Sequence, residues 1–251
     1  AGRRRTLLDA AGLDDVAGDL ESAEQLLDEG LEVARAAADP EALARALIYT
    51  GAIGIARRRA PEAGAALQEA LAVSRRRGNQ RAEGEALHQL GMLATLRPDI
   101  AEARRLFEAS LVVRRAIGCA DESITTLTFL ATAAMLQGDA PAARAAIVEA
   151  LEIGFALHDR RVAWSLDVLA CLAAQEDRHQ HALEISGAAA GMFAATGQQP
   201  PNTWRLFTEP MLERAREVLG PEAAGRAWET GRSLGFDDAL GRALEGERAT
   251  G

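Results

Sequence analysis

The sequence predicts an all-α protein: a right-handed helical-repeat solenoid of helix-turn-helix units, closed by a C-terminal helical cap. Three observations predict it. Alanine makes up about a fifth of the 251 residues, far above ordinary usage; it is the best helix former and lets helices approach closely. Val, Ile and Thr, which favour strands, are sparse. Apolar residues follow the helical period, and the same pattern returns every 40 residues.

The repeat is plainest in the second helix of each unit. A small residue stands at Ala23, Ala63, Ala103 and Ala143, and a weaker copy follows at Ala182. Four residues on comes a large one: Leu27, Leu67, Phe107, Ile147. A small residue and a leucine complete the stripe: Gly30-Leu31, Ala70-Leu71, Ser110-Leu111, Ala150-Leu151. An offset of four to the large residue, and of three and four from it to the small residue and the leucine, keeps all of these on one helical face. The preceding first helices share a register of their own. Leu47, Gly51 and Gly54 form its earliest copy. Leu87, Leu90, Gly91 and Ala94 come next, then Leu127, Leu130, Ala131 and Ala134, and last Leu166, Leu169, Ala170 and Ala173.

Punctuation has the same period. Asp39, Asn79, Asp121 and Asp159 are expected to cap the first helices. Pro61 and Pro141 suit the first turn of second helices, and Gly78, Gly118 and Gly197 suit their C-terminal stops. Five units, the first truncated, therefore occupy residues 1–197. Residues 198–251 break the period. Gln198-Gln-Pro-Pro201 reads as a turn. It leads to helices near Thr203–Leu219, from Pro221 through Trp228, and at Leu234–Leu244. These serve as capping helices of the same solenoid, because an open stack must cover its last apolar face.

Leu87, Leu90 and Gly91, followed by Ala103, Phe107 and Ser110, resemble the tetratricopeptide repeat. The period here is 40 rather than 34, and leucine replaces the large aromatic of the first helix. The extra residues are shared between two longer helices. Ala223–Leu244, with Ala227-Trp228 and Gly231, and the segment Ser186–Ala190 are similar to the end of the helical-repeat region in large bacterial signal-transduction ATPases. Those proteins carry a LuxR-like or other winged DNA-binding module. The resemblance implies a cytoplasmic sensor or protein-interaction arm of a multidomain bacterial transcriptional regulator. A stand-alone scaffold or peptide receptor is the second reading, and a noncatalytic arm of a cyclase or kinase the third.

Composition narrows the chemistry. Net charge is −9, and all 28 basic residues are arginine. Such a balance disfavours direct nucleic-acid binding. No apolar run is long enough to span a membrane, and the start lacks a signal peptide's pattern. The chain does not begin with Met and reads as a piece of something longer. No phosphate loop, dinucleotide fingerprint or HExxH motif occurs. Cys119 and Cys171 read as small core residues. His179 and His181 stand two apart at a helix start, where they diverge by roughly 200°; they read as exposed polar residues at a turn. The expectation is therefore no enzyme, no cofactor and no metal.

The resemblance places ligands on the concave face, lined by first helices. The positions projected there are Arg45, Ile48 and Ala52; Glu85, His88 and Met92; Thr125, Thr128, Thr132 and Met135; Trp164, Asp167 and Cys171. The row mixes Met, Trp, threonines and single charges, which suits recognition of a protein, a peptide or a small-molecule effector. The alternative is that longer helices turn these residues into the core between repeats. The arginine runs Arg57–Arg59, Arg75–Arg77 and Arg114–Arg115 complement helix C-termini. Docking of an acidic partner or nucleic acid is their second reading.

Overall fold

Asp39, Asn79, Asp99 and Asp139 stop the chain and restart it as helix. Each side chain accepts a hydrogen bond from a backbone N–H three residues on, at 3.1–3.2 Å. That satisfies one of the orphan donors of a helix start. A computed structural model of the chain describes residues 20–197 and 202–248. Among them are twelve α-helices, one 3₁₀ turn and no strand. The all-α helical-repeat solenoid expected from the sequence is the class they form. The expected turn at 198–201 and the first helix of the truncated repeat lie outside the described residues.

The helices run in chain order: α1 Leu20–Ala36, α2 Pro40–Ala56, α3 Ala60–Arg77, α4 Gln80–Leu96, α5 Ile100–Ala116, α6 Ala120–Leu136 and α7 Ala140–Leu157. The 3₁₀ turn Arg160–Val162 precedes α8 Ala163–Gln175, α9 His179–Thr196, α10 Asn202–Leu219, α11 Pro221–Arg232 and α12 Phe236–Arg248. Gly78, Gly118 and Gly197 adopt φ of 65°, 69° and 69°, the left-handed stop that lets helix carbonyls find partners. Asp121 departs from expectation. Its helix begins one residue earlier, so its charge lies in the first turn beside Glu122 rather than capping.

The described residues form two compact units that divide between Cys119 and Ala120. In the first, α2 pairs with α3 and α4 with α5, and the first helices α2 and α4 also touch. The anchors explain why. Ala63 and Ala103 are 1% and 0% exposed, and Leu67 and Phe107 are fully buried. Gly51 and Gly91 make room for those large residues. A Cβ on Gly51 would lie 2.4 Å from the Leu67 side chain, and one on Gly91 2.5 Å from the Phe107 ring. Both pairs are sixteen residues apart, so one knob-and-hollow is built twice by the repeat.

In the second unit α6 pairs with α7 and α8 with α9, and α6 also meets α8. Ala143, Ile147, Ala150, Leu151 and Ala182 are all fully buried. The last three helices close this unit: α10 rests on α8 and α9, α11 on α9, and α12 on α7 and α9. The α9–α11 crossing brings backbones together. A Cβ on Gly187 would lie 2.0 Å from the Trp228 carbonyl oxygen, and one on Gly231 1.7 Å from that of Glu184. Glycine is required where main chains approach so closely.

Candidate functional site

The projected row divides between the two units. In the first unit, Glu85, His88 and Met92 stand on α4 at helical spacing. Glu85 and Met92 are half-buried, while His88 is buried against the Phe107 ring at 5.6 Å. Arg114, in the last turn of α5, reaches back to this face. Its guanidinium meets the Glu85 carboxylate at 2.5 Å, and Gln89 donates to the same carboxylate at 2.9 Å. Arg45 is half-buried, and Ile48 and Ala52 are buried beside it on α2.

Electrostatics follow from this burial. Loss of water drives the His88 pKa down to about 4, with Arg114 adding to the shift and Glu85 opposing it. His88 is therefore neutral at pH 7. Burial alone would raise Glu85; its neighbours His88 and Arg114, with the hydrogen bonds from Gln89 and Arg114, outweigh that and hold it below the ordinary carboxylate range. The result is a charge-assisted guanidinium–carboxylate pair, buried on the Arg114 side and partly open on the Glu85 side.

Arg114 adds to what was expected of it. It stands in the last turn of α5, as a cation at a helix C-terminus should, yet its side chain is 2% exposed and paired with Glu85. A signal for this exists in the sequence. Ala34, Ser74 and Gly154 occupy the same repeat position, so arginine stands where small residues pack. Gly84 provides the room; a Cβ there would come within 3.1 Å of the Arg114 side chain.

In the second unit the row is largely interior. Thr128 is buried, donates to the Ile124 carbonyl at 2.9 Å and lies 2.7 Å from the Ser165 hydroxyl on α8. Thr132 donates to the Thr128 carbonyl at 2.9 Å. Met135, Asp167 and Cys171 are buried; Thr125 and Thr132 are half-buried. Trp164 is also half-buried and presents its ring to Phe193 at 5.4 Å, edge to face. Burial, with Asp167 and Glu209 nearby, pushes the Cys171 thiol well up, so it is no thiolate nucleophile at neutral pH. The structure thus gathers Glu85, His88 and Met92 on one face and links α6 to α8 through Thr128. It leaves Arg45, Thr125, Thr132, Met92, Glu85 and Trp164 partly open.

A second polar cluster was not anticipated. Arg144 of α7 is paired with Glu176 and Glu247. Arg178 bridges the same two carboxylates at 3.0 and 2.8 Å. Glu184 pairs with Arg242 at 3.2 Å. These contacts fasten α12 to the last repeat. They also correct the reading of His179 and His181 as exposed. The two side chains are only 10% and 18% exposed, because α12 returns over the start of α9 and Gly246 lies against the His181 ring. Burial, then the charge of Arg178, lowers the His181 pKa. Among the described residues no group of His, Cys, Asp and Glu could hold a metal ion, and no helix is long and apolar enough to cross a membrane.

No family model matches the chain. It is similar to three mycobacterial proteins, each named "Putative HTH-type transcriptional regulator". Two are from Mycobacterium tuberculosis, strains H37Rv and CDC 1551, and one is from Mycobacterium bovis. Identity to each is 30% over 124 residues, or 49% of this chain. The chain's match spans 14% of the length of those relatives. Among solved structures, BtubC (BKLC) from P. vanneervenii superposes with a TM-score of 0.63 at 19% identity, over 94% of this chain and 92% of that one. That likeness concerns the fold. The class so defined is an all-helical repeat protein with distant sequence similarity to proteins named as transcriptional regulators.

Proposed function

We propose that this chain is the protein-interaction or ligand-sensing arm of a multidomain bacterial transcriptional regulator. The observation that carries the reading is the 30% identity of half the chain to a small part of much longer proteins named as HTH-type regulators. The arm is built from long tetratricopeptide-like repeats; its parent is a signal-transduction ATPase of the LuxR-bearing type. Its partner is a protein or peptide, or a small-molecule effector; the half-open first-helix residues offered to it are Arg45, Glu85 and Met92 in the first unit and, separately, Thr125, Thr132 and Trp164 in the second. The arm itself performs no catalysis and carries no cofactor. It binds neither nucleic acid nor membrane and works in the cytoplasm. Repeat folds suit such relays because each unit contacts only its neighbours, so strain at one unit is passed along the stack.

The test is an in-frame genomic deletion of residues 20–248, read by RNA sequencing. A mobility-shift assay on the isolated chain accompanies it. A defined set of transcripts should change while the isolated chain leaves promoter DNA unshifted. An unaltered transcriptome, under conditions in which the gene is expressed, would refute the regulator reading.

A further inference from the structure

Arg76 and Arg77 close α3 beside a groove that the proposed arm function does not use. The groove measures about 520 Å³ and lies wholly within the first unit. Its apolar wall is Ala34 of α1, Pro40 and Leu43 of α2, and Val73 of α3; Arg35, Arg76 and Arg77 supply its charge. That volume is in the range of ligand pockets.

We infer that this groove docks an acidic peptide segment of a partner protein, one that carries an aliphatic or aromatic side chain flanked by carboxylates. The charge balance of the lining argues for it. Asp39, its one carboxylate, is engaged as the cap of α2, accepting from the Ala42 N–H. Arg35 meets Glu69 at 3.3 Å in solvent, a pair easily exchanged. The adjacent Arg75 turns to Glu83 at 2.8 Å, whereas Arg76 and Arg77 are exposed and pair with no carboxylate among the described residues. In a chain of net charge −9, three arginines around one apolar hollow form a local reversal of sign. Guanidinium groups suit bidentate carboxylate recognition, and the Leu43–Val73 wall suits a large apolar side chain between those carboxylates. A nucleic-acid backbone offers no such side chain, and the overall charge repels it.

This inference rests on the interaction-arm reading for its partner class, but on a surface distinct from the first-helix row. The test is selection of random 12-residue peptides displayed on phage against the full chain, repeated with R76E/R77E and with M92A/W164A. A fluorescent oligothymidylate serves as the nucleic-acid probe. Melting followed by circular dichroism checks that each variant folds. Enriched peptides should carry Asp or Glu around a large apolar residue. Synthetic copies should lose affinity by about tenfold or more in R76E/R77E, mostly through lost charge pairing, while binding M92A/W164A as they bind the parent. Enrichment of neutral or basic peptides would overturn the inference, as would acidic peptides indifferent to R76E/R77E. Preferential capture of the oligothymidylate would overturn it too. Peptides lost only in M92A/W164A would overturn the groove while leaving the arm reading intact. No enrichment by any variant would count against both.

Discussion

Replacing Gly91 by alanine tests the knob-and-hollow that the repeat builds twice. In an open helix position the change should stabilise by about 0.5–1 kcal/mol, because glycine carries the larger entropic cost. At Gly91 the new methyl would lie 2.5, 2.7 and 2.9 Å from three ring carbons of Phe107. That ring is fully buried and cannot swing aside without disturbing the α4–α5 pair. Overpacking of this kind costs about 1–3 kcal/mol. The net effect should be destabilisation of up to about 2 kcal/mol, against stabilisation at Gly225, where a Cβ meets nothing within 4 Å. The repeat also holds its own remedy: sixteen residues apart, Ala131 and Ile147 occupy the places of Gly91 and Phe107. The double variant G91A/F107I should therefore be more stable than the sum of its single changes, by about 1 kcal/mol. Urea unfolding followed by circular dichroism gives the midpoints. If G91A raised the midpoint as G225A does, or if the double variant showed no coupling, the account of packing between first and second helices would be wrong.

Three further expectations follow from the same structure. His88 is neutral when folded, with a pKa lowered to about 4, so the unfolded chain binds the proton more readily. Its contribution is present above about pH 6.5 and is lost as pH falls toward 4, by up to about 3 kcal/mol; H88Q should flatten that part of the urea stability profile. G231A would thrust its Cβ to 1.7 Å from the Glu184 carbonyl; α11 should lift from α9, with faster hydrogen exchange across 221–232 and about 1–3 kcal/mol of lost stability. Trp164→Ala removes the contact with Phe193 and should lower stability by up to about 3 kcal/mol, the ring being half-buried; an unchanged melting temperature would show that this contact holds nothing in place.

The 40-residue period, the all-α class and several of the helix ends could be read from the sequence. A capping side chain acts on an N–H three residues away, as Asp39 does on Ala42, and a left-handed stop such as Gly78 is a property of one residue. The stripe Ala103, Phe107, Ser110 and Leu111 is legible for the same reason, since helical periodicity alone decides which side chains share a face. That Glu85, His88 and Met92 share one face of α4 was legible too. How deep each one sits was not, because depth depends on how the next unit packs: Thr128 is covered from α8, and His88 is sealed by Phe107 and Arg114. The C-terminal cluster lay furthest from view. Arg144 and Glu247 each look like surface charges of their own helices, and Glu176 and Arg178 like charges of the turn between α8 and α9. Only the packing of α7 beside the α8–α9 turn, and the return of α12 that adds Glu247, brings them together, and an amphipathic pattern states that a helix must pack without stating where.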